Sequence, residues 1–300
     1  MASYLISVPG TECSQGADRM RQCLRDQFQR LTQSSVRCWM REKGCGNRTM
    51  FQFDTEANIG NKALRNALGT AVAEYYISIC EPDLIRQIIR RQFQYQHPDD
   101  RRRIEQYTYE LLMDSDDDAP SGQTRKVRMA QHVAQYLAQH QVLAADGFFH
   151  FRLKRYRNGL IHLVEHAVDE YLLDQEYREF IDLLRYFVSV QPPKYSLVHV
   201  LHTDERRFQL LDGEGRPLRM KELDGAVKEL VEPPFSHEDL IVSTLLTVAP
   251  EQVVLHTRNR EENVVQTLEQ VFETRISLCD GCPECQPHRF HREERIPPKG

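Results

Sequence analysis

Apolar side chains change their spacing several times along the chain, and each change marks a different kind of segment. Tyr4 to Val8 is a short apolar run that reads as a strand. Residues 16–32 then place Met20, Cys23, Leu24, Phe28 and Leu31 at helical intervals. VRCWMR and RTMFQFD follow as two strands joined by EKGCGN, where Gly44, Gly46 and Asn47 tolerate positive φ. The first 55 residues therefore predict a small β-α-β-β unit. From 56 to 193 the period is helical. Ile59, Ala63, Leu64, Ala67, Leu68, Ala71 and Val72 form one stripe. Leu84, Ile85, Ile88 and Ile89 start another behind Pro82, which suits the first turn of a new helix. Asp99 is placed to cap a further helix. The stretch DSDDDAPSGQT, residues 114–124, is acidic and rich in turn formers, so it predicts an exposed flexible linker.

Helical spacing resumes at Val127, Met129, Val133, Tyr136 and Leu137. Leu160, Leu163, Val164, Ala167, Val168 and Tyr171 share one face of a central helix. Tyr177, Phe180, Ile181, Leu184, Phe187 and Val188 share a face of a second, with LLDQEY as a short corner between them. Pro192-Pro193 stops that helix, because proline lacks the amide hydrogen. The remaining segment, 194–285, changes character. YSLVHVLH and RRFQLLD read as strands, with DGEGRP as turn chemistry. Ser236 caps SHEDLIVSTLLTVA, EQVVLH is a strand, EENVVQTLEQVF a helix and TRISL a strand. The order is β-β-α-β-α-β, and residues 252–278 should form a parallel pair with a right-handed crossover. The fold class is thus α+β: a β-α-β-β unit, a helical middle and a C-terminal α/β domain, followed by a flexible tail at 286–300.

Composition narrows the function classes. The chain has 300 residues, 40% hydrophobic and 28% charged, with a net charge of −5, so nothing attracts it generally to nucleic acid or anionic membrane. MASYLISVPG has no charged n-region, and the longest apolar run, LIVSTLLTVA, is about half a membrane span. A cytoplasmic protein without membrane insertion is expected, and its cysteines should be reduced thiols.

The most specific chemistry is CDGCPECQPHRFH at 279–291. Cys279, Cys282 and Cys285 follow a C-x2-C-x2-C spacing that lets successive thiolates wrap one zinc ion, which takes four ligands. His256, His288, His291 or His202 would supply the fourth. If strands 252–256 and 275–278 are parallel neighbours, His256 and Cys279 face one another at the carboxyl edge of the sheet. An iron–sulfur cluster fits less well, because the fourth cysteine of ferredoxin spacing would fall at Arg289. A redox reading of Cys282-Pro-Glu-Cys285 lacks the helix that would lower a thiol pKa. Cys13, Cys23, Cys38, Cys45 and Cys80 show no metal spacing and read as small buried hydrophobes.

Two arginine-rich stretches stand out: Arg86, Arg90, Arg91 with Arg101-Arg102-Arg103, and Arg152, Lys154, Arg155, Arg157. The first is a candidate phosphate-binding face with Phe93 and Tyr95 as stacking surfaces, but interleaved acids favour a solvated face. The second sits at a helix start, where cations are locally unfavourable, and could face acidic partners or the DSDDD linker. His162 and His166 lie one helical turn apart without the H-E-x-x-H pattern. No nucleophile elbow, phosphate loop or dinucleotide fingerprint occurs.

FFHFRLKRY at 148–156, DEYLLDQEYREFIDLLRYFV at 169–188 and the strand and turn at 195–213 together resemble the YtxC-like family of sporulation proteins. The resemblance covers about the second half of the chain. It implies an endospore-forming source and an association with sporulation, and it brings no catalytic residues. The reading is a non-enzymatic scaffold or interaction protein with unidentified protein partners and a structural zinc site. A nucleic-acid-binding regulator and a metal or redox enzyme are the alternatives.

Overall fold

The computed structural model describes residues 2–10, 15–33, 38–55, 60–117, 124–203, 207–218 and 237–282. It is mixed α+β, with a small sheet near each end of the chain and a helical middle. The chain divides into two compact units, Met1–Leu173 and Asp174–Gly300.

The first unit starts with β1 (Ala2–Pro9), α1 (Gln15–Gln33), β2 (Cys38–Cys45) and β3 (Arg48–Thr55). Along β1, Tyr4, Ile6 and Val8 are buried at period two, as a strand against a core requires. Phe51 and Phe53 do the same on β3, and Met20, Cys23 and Leu24 are the buried face of α1. Strand β2 is longer than the sequence suggests. Cys45 pairs with Arg48, so only Gly46 and Asn47 form the loop, and Gly46 takes φ +60°. Glu42, Lys43 and Gly44 are ladder residues instead of turn.

Helices α2 (Gly60–Tyr75), α3 (Glu81–Arg91), α4 (Pro98–Asp117), α5 (Arg125–Gln139) and α6 (Ala145–Phe151) follow. The short strand β4 (Val142–Ala144) joins β1 in parallel, giving the order β2-β3-β1-β4. Three residues are too few to show an alternation, which is why β4 leaves no trace in the pattern. The first sheet, α1 and the helices that follow share one core, since Leu64, Leu68, Val133, Leu137 and Phe148 cluster with Ile6 and Phe53. Gly69 lets α2 and α5 cross closely: a Cβ there would overlap the carbonyl oxygen of Ala130.

Between α2 and α3 the backbone stays helical through a π turn, Tyr76–Cys80, in which the Glu81 N–H donates to the Tyr76 carbonyl five residues back. This wider turn accommodates Pro82, which has no N–H to donate. It also buries Tyr76, whose hydroxyl donates to the Ala145 carbonyl at 2.9 Å. Asp99 does not cap α4. Pro98 opens that helix and Asp99 lies in its first turn, a placement that the helix dipole favours. The helix also runs to Asp117, so residues 114–117 are helical although their composition suggests a linker. Residues 118–123 lie outside the described residues.

Helix α7 (Lys154–Val190) is one continuous helix. The expected corner at Leu172–Tyr177 does not form, because the segment holds neither glycine nor proline. One-turn pairs also brace it, Arg178 to Asp174 at 2.5 Å and Gln175 to Glu179 at 3.0 Å. Leu160, Val164, Ala167, Val168 and Tyr171 pack with Ile85, Ile89 and Ile104 in the first unit.

In the second unit Ile181 and Val188 of α7 join the core of a second sheet. Tyr177, Phe180 and Phe187 instead project outward, so the apolar stripe predicted there splits between two faces. The sheet contains β5 (Leu197–Thr203), β6 (Arg207–Asp212), β7 (Gln252–His256) and β8 (Ile276–Leu278), in the order β6-β5-β7-β8. Strands β5, β7 and β8 are parallel and β6 is antiparallel. Helix α8 (His237–Val248) contributes Ile241 and Leu245 to the core, and α9 (Asn263–Phe272) contributes Val265, Leu268 and Phe272. The expected cap Ser236 lies outside the described residues. No helix among them is long and apolar enough to cross a membrane.

Candidate metal centre

The register of β7 and β8 places the site. Val253 pairs with Ile276, Val254 with Ser277 and Leu255 with Leu278. The Cys279 N–H continues the ladder by donating to the Leu255 carbonyl at 2.9 Å. His256 and Cys279 therefore emerge side by side at the carboxyl end of two parallel strands, where open α/β sheets gather ligands. Gly281 then takes φ +113°, a conformation that side chains avoid, and turns the chain back.

That turn brings Cys282 to His256, with its Sγ 3.4 Å from the histidine Nδ1. One ligand atom from each of His256, Cys279 and Cys282 lies within 4.8 Å of the other two. The backbone N–H groups of Gly281 and Cys282 point at the Cys279 sulfur, at 3.5 and 3.4 Å. Donors aimed at a sulfur favour its thiolate form, which is the form that binds metals. His256 is buried, and Cys279 and Cys282 are partly so.

His199 on β5 stands behind His256, and its Nδ1 is 3.0 Å from the His256 Nε2. A proton on Nε2 shared with His199 leaves the Nδ1 lone pair directed at the sulfurs. Metal-bound histidines are commonly oriented by such a partner on the remote nitrogen. Sequence reading passes over His199, because a single histidine inside the strand YSLVHVLH carries no spacing signal. Its alternation with Leu201, the register partner of His256, puts both imidazoles on one face.

The other sequence candidates are distributed as follows. His202 is engaged elsewhere: its Nδ1 is 2.8 Å from the Thr257 hydroxyl and its Nε2 3.1 Å from Glu262. Cys285, His288 and His291 lie outside the described residues, as does Cys13. Burial pushes the Cys80 thiol up to about 12 and also raises Cys23 and Cys38, so these three stay protonated near neutral pH. Cys45 is exposed, contrary to its reading as a buried hydrophobe. His162 is exposed and 3.4 Å from Glu165. Arg86 of the first arginine face is held by Asp83 at 2.8 Å and Glu105 at 3.3 Å.

The YtxC-like family profile matches residues 66–277. Over 212 residues, 69% of this chain and 74% of the relative, the sequence is 26% identical to the uncharacterized protein YtxC of Bacillus subtilis (strain 168). No solved structure matches. The family match includes His199 and His256 and ends two residues before Cys279.

Proposed function

The chain belongs to the YtxC-like family, and we propose that it is a non-enzymatic, sporulation-associated interaction protein of the cytoplasm whose second unit is closed by a structural zinc site. The observation that carries this reading is the convergence of His256, Cys279 and Cys282 at the mouth of the second sheet. With Cys285, three residues beyond Cys282 in the sequence, as the fourth ligand, the proposed set is three sulfurs and one nitrogen, a normal tetrahedral environment for zinc. Four protein ligands leave no position for a reactive water, which favours a structural role over a catalytic one. An iron–sulfur cluster asks for a fourth thiolate that the local spacing does not supply.

Tag-free protein is expected to carry about one zinc per chain, and Cys282→Ser to lose it. The wild-type thiols at the site should resist alkylation until a chelator is added. Metal-free protein that alkylates at Cys282 at once would support the second reading, a thiolate–imidazole pair used chemically, for which the 3.4 Å contact between Cys282 and His256 is the geometric basis.

The interaction role draws support from the second half of α7. Phe180, Leu183, Phe187 and Val190 are all about half exposed or more and follow one another at intervals of three and four residues. That alternation builds a seam that fits another helix of the same pattern, so the occupant proposed is a second copy of this chain. Sedimentation should show a dimer for the wild type and a monomer for the Phe180→Glu, Phe187→Glu double variant. A wild type that stays monomeric at high concentration would remove this support.

A further inference from the structure

Arginines concentrate around one cavity of the first unit that nothing above assigns. It encloses about 480 Å³ and is lined by Arg125, Arg128, Arg152 and Arg155, with apolar Leu112 and Leu160 among the other lining residues. Among the described residues no carboxylate lines it. Arg125 is already committed to the buried Glu81, and Arg152 lies over the Tyr136 ring at 5.8 Å. Arg128 and Arg155 make no ion pair with any described residue.

Folding does not explain this arrangement. Arg155 sits in the first turn of α7, where the helix dipole disfavours a cation. Gly159, one turn further on, lies inside the helix, where glycine is less stable than alanine. A Cβ on Gly159 would meet no described residue within 4 Å, so neither packing among these residues nor backbone geometry asks for glycine there. What the glycine does is keep open the wall of the cavity that it lines. A cavity of this volume is within the usual range for small-molecule sites.

We propose that the cavity bounded by α5 and the start of α7 binds a phosphorylated small molecule, its phosphates held by Arg128 and Arg155 and its uncharged portion lying toward Leu112 and Leu160. Several guanidiniums around one space match a group carrying more than one negative charge, and their planar forks suit phosphate oxygens. The sequence has no phosphate loop, so recognition here runs through side chains instead of backbone amides.

ADP and inorganic pyrophosphate are the probes, titrated into the full chain by calorimetry at low ionic strength. Both should bind, ADP more tightly because it also covers the apolar side. Arg128→Gln and Arg155→Gln should each weaken ADP by about tenfold, the loss of one charge-assisted contact. Gly159→Leu should block ADP while leaving thermal stability equal or higher, since leucine is the better helix former. Arg86→Gln with Arg102→Gln, on the separate arginine face, should change nothing. The proposal is overturned if neither probe binds at millimolar concentration. It is equally overturned if Gly159→Leu binds ADP like the wild type, or if the Arg86, Arg102 variant is the one that loses binding.

Discussion

Arg125→Met is expected to destabilise the first unit by about 3–5 kcal/mol, the cost of leaving one member of a buried ion pair alone. Glu81 is 0% exposed at the start of α3. Its two carboxylate oxygens accept from Arg125, from Nε at 3.2 Å and from Nη2 at 3.4 Å, and one also accepts from the Tyr156 hydroxyl. The contact ties α3, α5 and α7 together through a group that water cannot reach. Methionine fills much of the arginine volume but offers no donor, so the carboxylate loses its charge partner. The double variant Glu81→Met, Arg125→Met should recover most of the loss, because replacing both partners removes the buried charge together with its need. Trp39, the single tryptophan, is on β2 of the first unit and 47% exposed. Its fluorescence during urea unfolding therefore reports this unit. A single variant as stable as the wild type would contradict the account of the core.

Chelation is expected to act on the other unit. If zinc binds His256 and the cysteines, removing it at free zinc about a thousandfold above Kd costs about 4 kcal/mol. The far-UV circular dichroism transition of the second unit should shift to lower temperature, while the Trp39 signal stays where it was. Cys282→Ser should reproduce the shift and make the chelator ineffective. The effect has a definite pH direction. Zinc needs thiolates and a neutral imidazole, and protons compete for all of them, so the zinc-dependent stability must shrink as pH falls. A chelator that moves the Trp39 transition instead would place the metal elsewhere.

Some of this was readable from the chain and some was not, for reasons of physical range. The β-α-β-β start and the C-terminal β-α-β element were visible because each is set by alternation within a few residues, and β7 and β8 do pair in parallel. Their parallel register is also why His256 could be matched to Cys279 from 23 residues away: the ladder that begins with Val253 and Ile276 leads to them. The unbroken course of α7 is not legible in the sequence, because hydrophobic stripes that rotate around a helix look like two helices when nothing but spacing is followed. The Glu81–Arg125–Tyr156 cluster and the Tyr76 anchor on Ala145 leave no local pattern, and of the arginine cavity only the side carrying Arg152 and Arg155 stands out in the sequence. Each joins residues far apart in sequence, and only packing brings them together. His199 is the intermediate case, on the correct strand face yet silent until its neighbour strand is known.

His256, Cys279 and Cys282 are proposed to gather a metal ion, and cobalt substitution tests this most directly. Apo protein titrated with Co(II) should develop intense tetrahedral visible bands and near-ultraviolet thiolate charge transfer that saturate at one equivalent, and zinc should displace them. A pale octahedral spectrum without charge transfer, unchanged in Cys279→Ser and Cys282→Ser, would contradict the account.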